Sequence, residues 1–199
     1  MTRIITFFSI SLLWLYVSFS FAETEVAKHL SRFLLDRYPT YEILTGDNLN
    51  KGVSNYYNEK YRGQHPGYAC GQFRGASGSD CGVLLIEKGK SSEGVKLLLI
   101  ISNINLPHPY VSYREDYGNN NYYNNYTFIR FLVKGVIPDR ETGIPVEMPG
   151  DGIEVVLYGK SSIAYFWDGA GDSKAGSRPR AGERQWTGRP LSLDSEVGL

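Results

Sequence analysis

The chain has 199 residues, of which 42% are apolar and 14% aromatic, with 21 basic and 21 acidic side chains. That balance excludes an intrinsically disordered chain, which needs fewer apolar residues or a larger net charge. Zero net charge also argues against a nucleic-acid or anionic-membrane binder, because no excess of Lys and Arg is present for steering or counterion release.

Residues 1–22 read as a secretory signal peptide. Arg3 precedes an apolar run from Ile4 to Val17, and small residues follow at Ser20 and Ala22. An uncleaved anchor is the other reading of this stretch, since it approaches spanning length. The Ser-Phe-Ser-Phe-Ala ending and the acidic residues after it favour cleavage. The expectation is therefore an exported chain, periplasmic or secreted, beginning at Glu23 and free of the membrane once cleaved.

From Thr24 to Tyr38 apolar residues recur at Val26, Ala27, Leu30, Phe33 and Leu34, which is helical spacing that Pro39 ends. Residues 41–44 predict a short strand, and Asp47 to Tyr61 a second helix weakened by Gly52. Beyond these the chain is strand-like. Cys81–Ile86 and Val95–Ile101 are dense apolar runs around a Gly/Ser/charge cluster and predict a hairpin. Tyr126–Val133 alternates, with Phe128, Arg130 and Leu132 on one face. Asp151–Tyr158 and Ile163–Trp167 predict another hairpin around Gly159.

The expected fold is thus α+β, with N-terminal helices on a mainly antiparallel sheet of hairpins. One domain spans 23–168, an ordinary size of roughly 145 residues. Residues 169–199, rich in Gly, Ser, Arg and Pro, read as a disordered tail.

Cys70 and Cys81 are the only cysteines, and export makes a structural disulfide the favoured reading over two free thiols. Their spacing is not the C-x-x-C of redox proteins. Gly89-Lys90-Ser91 and Gly159-Lys160-Ser161 lack the upstream glycine of a phosphate loop and lie between strands, so they read as turns. His65 is the one histidine near other polar chemistry, namely Asp80 and the two cysteines. A hydrolase using that set is one alternative, weighed against a plain loop histidine beside a disulfide. Neither a Gly-x-Ser-x-Gly elbow nor a His-Glu-x-x-His pattern occurs. The Asn/Tyr-rich stretch 118–126 predicts a loop whose Tyr122, Tyr123 and Tyr126 offer a candidate ligand surface. Asn125-Tyr126-Thr127 also fits the N-glycosylation pattern.

Two stretches together carry a family resemblance. The first runs His65-Pro-Gly-Tyr-Ala-Cys-Gly-Gln-Phe-Arg-Gly-Ala-Ser-Gly-Ser-Asp80 into the strand Val83–Ile86. The second runs from Gly150-Asp-Gly-Ile to Ala-Tyr-Phe-Trp-Asp168. Together they resemble small exported bacterial proteins with one degenerate FG-GAP/VCBS-type unit. In intact units of that kind an acidic loop binds calcium. Here Gln72, Arg74 and Ala76 stand where the resemblance places acidic or amide ligands, and only Asp80 stays acidic. Calcium needs six to eight oxygens, several of them anionic, so no metal and no cofactor is expected. A Cys70–Cys81 bridge bracketing this loop would close it in place of the ion. The functional expectation is a non-catalytic binding module for a protein or saccharide partner, with a calcium- or carbohydrate-binding module and the His65 hydrolase as alternatives.

Overall fold

The computed structural model describes residues 25–74, 79–90, 93–118, 124–138, 144–167 and 186–191. The candidate signal peptide, Tyr122, Tyr123, Ala76 and Asp168 lie outside the described residues. The chain divides into two compact units, Met1–Pro39 and Thr40–Leu199.

In the first unit a helix, α1, covers residues 25–37. It matches the helical spacing of Val26, Leu30, Phe33 and Leu34. Ser31 donates to the Ala27 carbonyl at 2.9 Å, and the Arg37 guanidinium lies 4.8 Å over the Phe33 ring. The Tyr38 amide closes the last turn on the Leu34 carbonyl at 2.8 Å, just before Pro39.

The second unit holds the strands. After β1 (Tyr41–Ile43) comes a 3-10 turn (Gly46–Asn48) and then α2 (Lys51–Lys60). The predicted helix from Asp47 is therefore shorter at its start, and Asn50 is the reason. Its side chain accepts the Gly52 amide at 2.9 Å, which fixes the N-cap and puts Gly52 in the first turn, where its weak helix propensity costs little.

The first sheet has β3 (Asp80–Glu87) between two neighbours. On one side it pairs with β4 (Leu97–Ser102), which pairs in turn with β5 (Tyr110–Asp116); on the other it pairs with both β1 and β2 (Tyr68–Gly71). All pairings are antiparallel. At the junction of β1 and β2 the backbone passes so close to Leu44 that a Cβ on Gly67 would strike its carbonyl, which demands glycine there.

The second sheet runs β11 (Trp186–Leu191), β10 (Ser161–Trp167), β9 (Gly152–Leu157), β6 (Thr127–Leu132), again antiparallel. β7 (Gly135–Ile137) and β8 (Val146–Met148) form a separate ribbon. The strand over 186–191 corrects the expectation of a disordered tail for those residues. Gly188 and Pro190 hide it in the sequence, yet an edge strand tolerates both.

The two sheets share one core, which differs from the expected single sheet. Leu84, Ile86, Leu98 and Ile100 of the first meet Ile129, Ile153, Val155, Leu157 and Tyr165 of the second. Gly82 lets them approach, because a Cβ there would run into Ile153 and Ile129. Val83, Leu85, Leu97, Leu99 and Ile101, on the other face of the first sheet, are buried too. Two buried faces explain why these strands read as unbroken apolar runs instead of alternating.

The second sheet is covered on its far side as well. At one end α2 sets Tyr57 edge-on to Phe128, with centroids 5.0 Å apart. At the other, Ile137 and Met148 of the ribbon pack on Ala164 and Phe166 of β10. Between these two coverings lies the cross-strand pair Arg130–Glu154.

Candidate functional site

Cys70 and Cys81 face each other across β2 and β3 and form a disulfide, with Cα atoms 4.1 Å apart. The sequence reading of a structural bridge holds, and it takes both sulfurs out of thiol chemistry.

Asp80 opens β3 and is fully buried. Arg74 reaches it from across the loop. Its Nε–H lies 3.2 and 3.1 Å from the two carboxylate oxygens, and Nη2 donates to Oδ1 at 2.8 Å. The same guanidinium donates to Asn103 Oδ1 at 3.0 Å and to the Tyr110 hydroxyl at 2.7 Å. Asp80 also accepts the Asn103 amide at 3.3 Å, and Asn103 holds a left-handed φ of 58°. Gln72, the other described position of the expected loop, is exposed and takes no part. Arg74, which stands at a ligand position of the calcium loop in the resemblance, is the cation that Asp80 pairs with.

His65 stacks on Tyr68 with centroids 4.4 Å apart, and its Nδ1 accepts the Gly67 amide at 3.1 Å. Burial holds its pKa below the ordinary histidine value. None of the partners named for it in the sequence bonds to it, since Asp80 belongs to Arg74 and each cysteine to the other. Among the described residues no three His, Cys, Asp or Glu side chains stand together as a metal-ligand set. Among the same residues no helix is long and apolar enough to cross a membrane.

A different cluster, which sequence reasoning missed, gathers on α2 and the far face of the second sheet. Tyr56 stands 4.9 Å from Tyr158 and 6.1 Å from Tyr61, centroid to centroid, the latter pair nearly perpendicular. Arg130 donates to the Tyr61 hydroxyl at 2.8 Å and lies 5.4 Å over its ring, while its Nε–H is bonded to Glu154. Lys60 lies 5.6 Å over the Tyr56 ring. Tyr126, 38% exposed, accepts from Asn50 Nδ2 at 3.3 Å, and the Asn50 amide donates to the Asn125 carbonyl at 2.8 Å. The last residues of the Asn/Tyr-rich segment are thereby tied to the start of α2. Only the helical spacing of Tyr57 and Tyr61 hinted at this surface; Tyr158 and Arg130 join it through the sheet register.

The remaining buried phenols are structural. Tyr165 donates to Glu115 at 2.6 Å and Tyr113 donates to it at 3.0 Å. Burial raises the pKa of Tyr57 and of Tyr165 far above the tyrosine norm, so both stay protonated donors.

Comparison with models of known protein families, with characterised proteins and with solved structures finds no match to this chain.

Proposed function

We propose that the chain is an exported, non-catalytic binding module whose ligand face is the tyrosine surface of α2, the turn after β9 and the 124–126 turn. The observation that carries this reading is a run of tyrosines in which Tyr56 stands against Tyr61 and Tyr158, the Tyr158 amide donates to the Tyr126 carbonyl, and Tyr126 is bonded to Asn50. Tyrosine offers large contact area with little side-chain entropy to lose, and asparagine adds adaptable hydrogen bonding, a pairing common at recognition surfaces. Of the side chains the sequence offers for a His65 hydrolase, Cys70 is bonded to Cys81 and Asp80 is paired with Arg74.

Export is supported by the signal-like N-terminal sequence and by the disulfide, a bond found mostly in oxidising compartments. The resemblance to a degenerate FG-GAP-type unit, with its helices on the sheet, belongs to the same proposal. In its terms the Arg74 guanidinium gives Asp80 the positive charge that calcium gives an intact loop.

The test is saturable binding of the labelled chain to cell-envelope fractions of its host. Tyr126→Ala and Tyr158→Ala together should weaken it at least tenfold with the thermal midpoint kept. Binding that is absent, or indifferent to both changes, sinks the reading.

A further inference from the structure

Among the described side chains, the far face of the second sheet is apolar except at Ser162 and at the Arg130–Glu154 pair. Phe128 and Val156 lie under α2, Leu132 and Phe166 lie by the ribbon, and Arg130 with Glu154 forms the strip between them. A buried ion pair is not what a packed sheet face requires, since apolar residues of similar volume there are neutral or stabilising. The Glu154 side chain is only 5% exposed, whereas that of Arg130 is 30% exposed and edges toward the tyrosines. Its Nε–H and one Nη1–H are used by Glu154 and Tyr61, and no other bond holds the remaining Nη donors among the described residues.

We propose that this strip is a saccharide subsite, taking a neutral sugar through Arg130 and the rings of Tyr61, Tyr56 and Tyr158. The proposal rests on the binding-module reading and names its ligand class. The chemistry selects a sugar in three ways. Guanidinium donors beside a phenol oxygen match vicinal hydroxyls, each of which both donates and accepts. Glu154 cancels the charge of Arg130 at the fork, and Lys60, the other cation of the cluster, lies 5.6 Å over the Tyr56 ring, so what the fork itself offers is a set of fixed donors to a neutral polar ligand. The tyrosine rings offer apolar faces to the C–H side of a pyranose, and their polar rims keep the surface wet. Glu154 acts as a positioning residue that holds the guanidinium in plane. The centre of a protein interface is depleted of charged residues, whereas this strip is centred on the Arg130–Glu154 pair.

The test is affinity electrophoresis of the full chain through gels holding β-glucan, xylan, galactan, chitin or α-mannan, one at a time. The chain should be retarded by at least one of them. Arg130→Lys, which keeps a partner for Glu154 but loses the fork, should weaken retardation at least tenfold. The double variant Arg130→Met with Glu154→Leu should abolish it while keeping or raising the thermal midpoint, which separates recognition from folding. Retardation unchanged in the double variant would overturn the site. No retardation of the wild-type chain by any of the five would overturn the saccharide. If envelope binding sensitive to the tyrosine changes then persisted and was abolished by protease treatment of the envelope, a protein partner would take its place and the binding-module reading would survive.

Discussion

Trp186 donates its indole N–H to Ser112 Oγ at 3.0 Å, so the last strand of the second sheet is keyed to the edge strand of the first. Ser112 sits where the β4–β5 register slips by one residue, and the same hydroxyl accepts from Ser102 at 2.8 Å and donates to the Ile100 carbonyl at 3.1 Å. A bulge of this kind re-aims a side chain, and here it aims Ser112 across to the opposite sheet. Trp186 itself is 4% exposed and stands edge-on to Phe73 with centroids 5.7 Å apart.

It follows that Trp186→Ala should destabilise the chain by about 3–5 kcal/mol, the usual loss for a buried tryptophan. Trp186→Phe removes mainly one hydrogen bond and should cost nearer ~1 kcal/mol. Urea denaturation measures both. Equal and negligible losses would mean that β11 adds nothing to the fold.

Arg74 and Asp80 predict a second asymmetry. Arg74→Ala leaves a fully buried carboxylate without its cation and should cost about 3–5 kcal/mol. Adding Asp80→Asn to that variant should recover part of the loss, because the stranded charge is removed. A double-mutant cycle on the denaturation midpoint reads the coupling, and simple additivity would contradict the pairing.

Reduction of Cys70–Cys81 should lower stability by roughly 2–3 kcal/mol, the chain-entropy effect of opening so short a loop. Denaturation with and without a reductant measures this, and Cys70→Ala with Cys81→Ala should reproduce the reduced value.

Much of this architecture is visible in the sequence, and the failures have physical causes. Leu84–Ile86 and Leu97–Ile101 announce buried strands by density alone. The β5 strand, by contrast, ends in Arg114-Glu115-Asp116, three charges in a row that give no strand signal: Arg114 and Asp116 are exposed at the sheet edge, while Glu115 turns inward to Tyr165. β11 is masked by Gly188 and Pro190, and only Trp186 signals burial. The site was harder still. Arg130 was visible on one face of an alternating strand, but its pairing with Glu154 depends on a register that links residues far apart in sequence. Arg74 and Asp80 shared a loop on paper, yet the arginine read as a lost ligand because spacing alone does not show which way a guanidinium points.

His65 gives a pH prediction. Burial depresses its folded pKa below the ordinary value of 6.5, so the unfolded chain takes up its proton first as pH falls. The stability linked to His65 is therefore complete above about pH 6.5 and is lost on acidification from there through the folded pKa. The denaturation midpoint of the wild type should fall more steeply between pH 7 and pH 5 than that of His65→Asn, whose amide oxygen can still accept the Gly67 amide. Parallel profiles would show that His65 does not titrate against folding.

The central claim is an exported module closed by one disulfide, and intact mass addresses it most directly. The chain is purified from the exported fraction of its host and alkylated before and after reduction. The account predicts a mass beginning at Glu23, no alkylation of the native chain, and two alkyl groups after reduction under denaturing conditions. A chain that keeps its N-terminal segment inside the cell, or that alkylates without reductant, would contradict it.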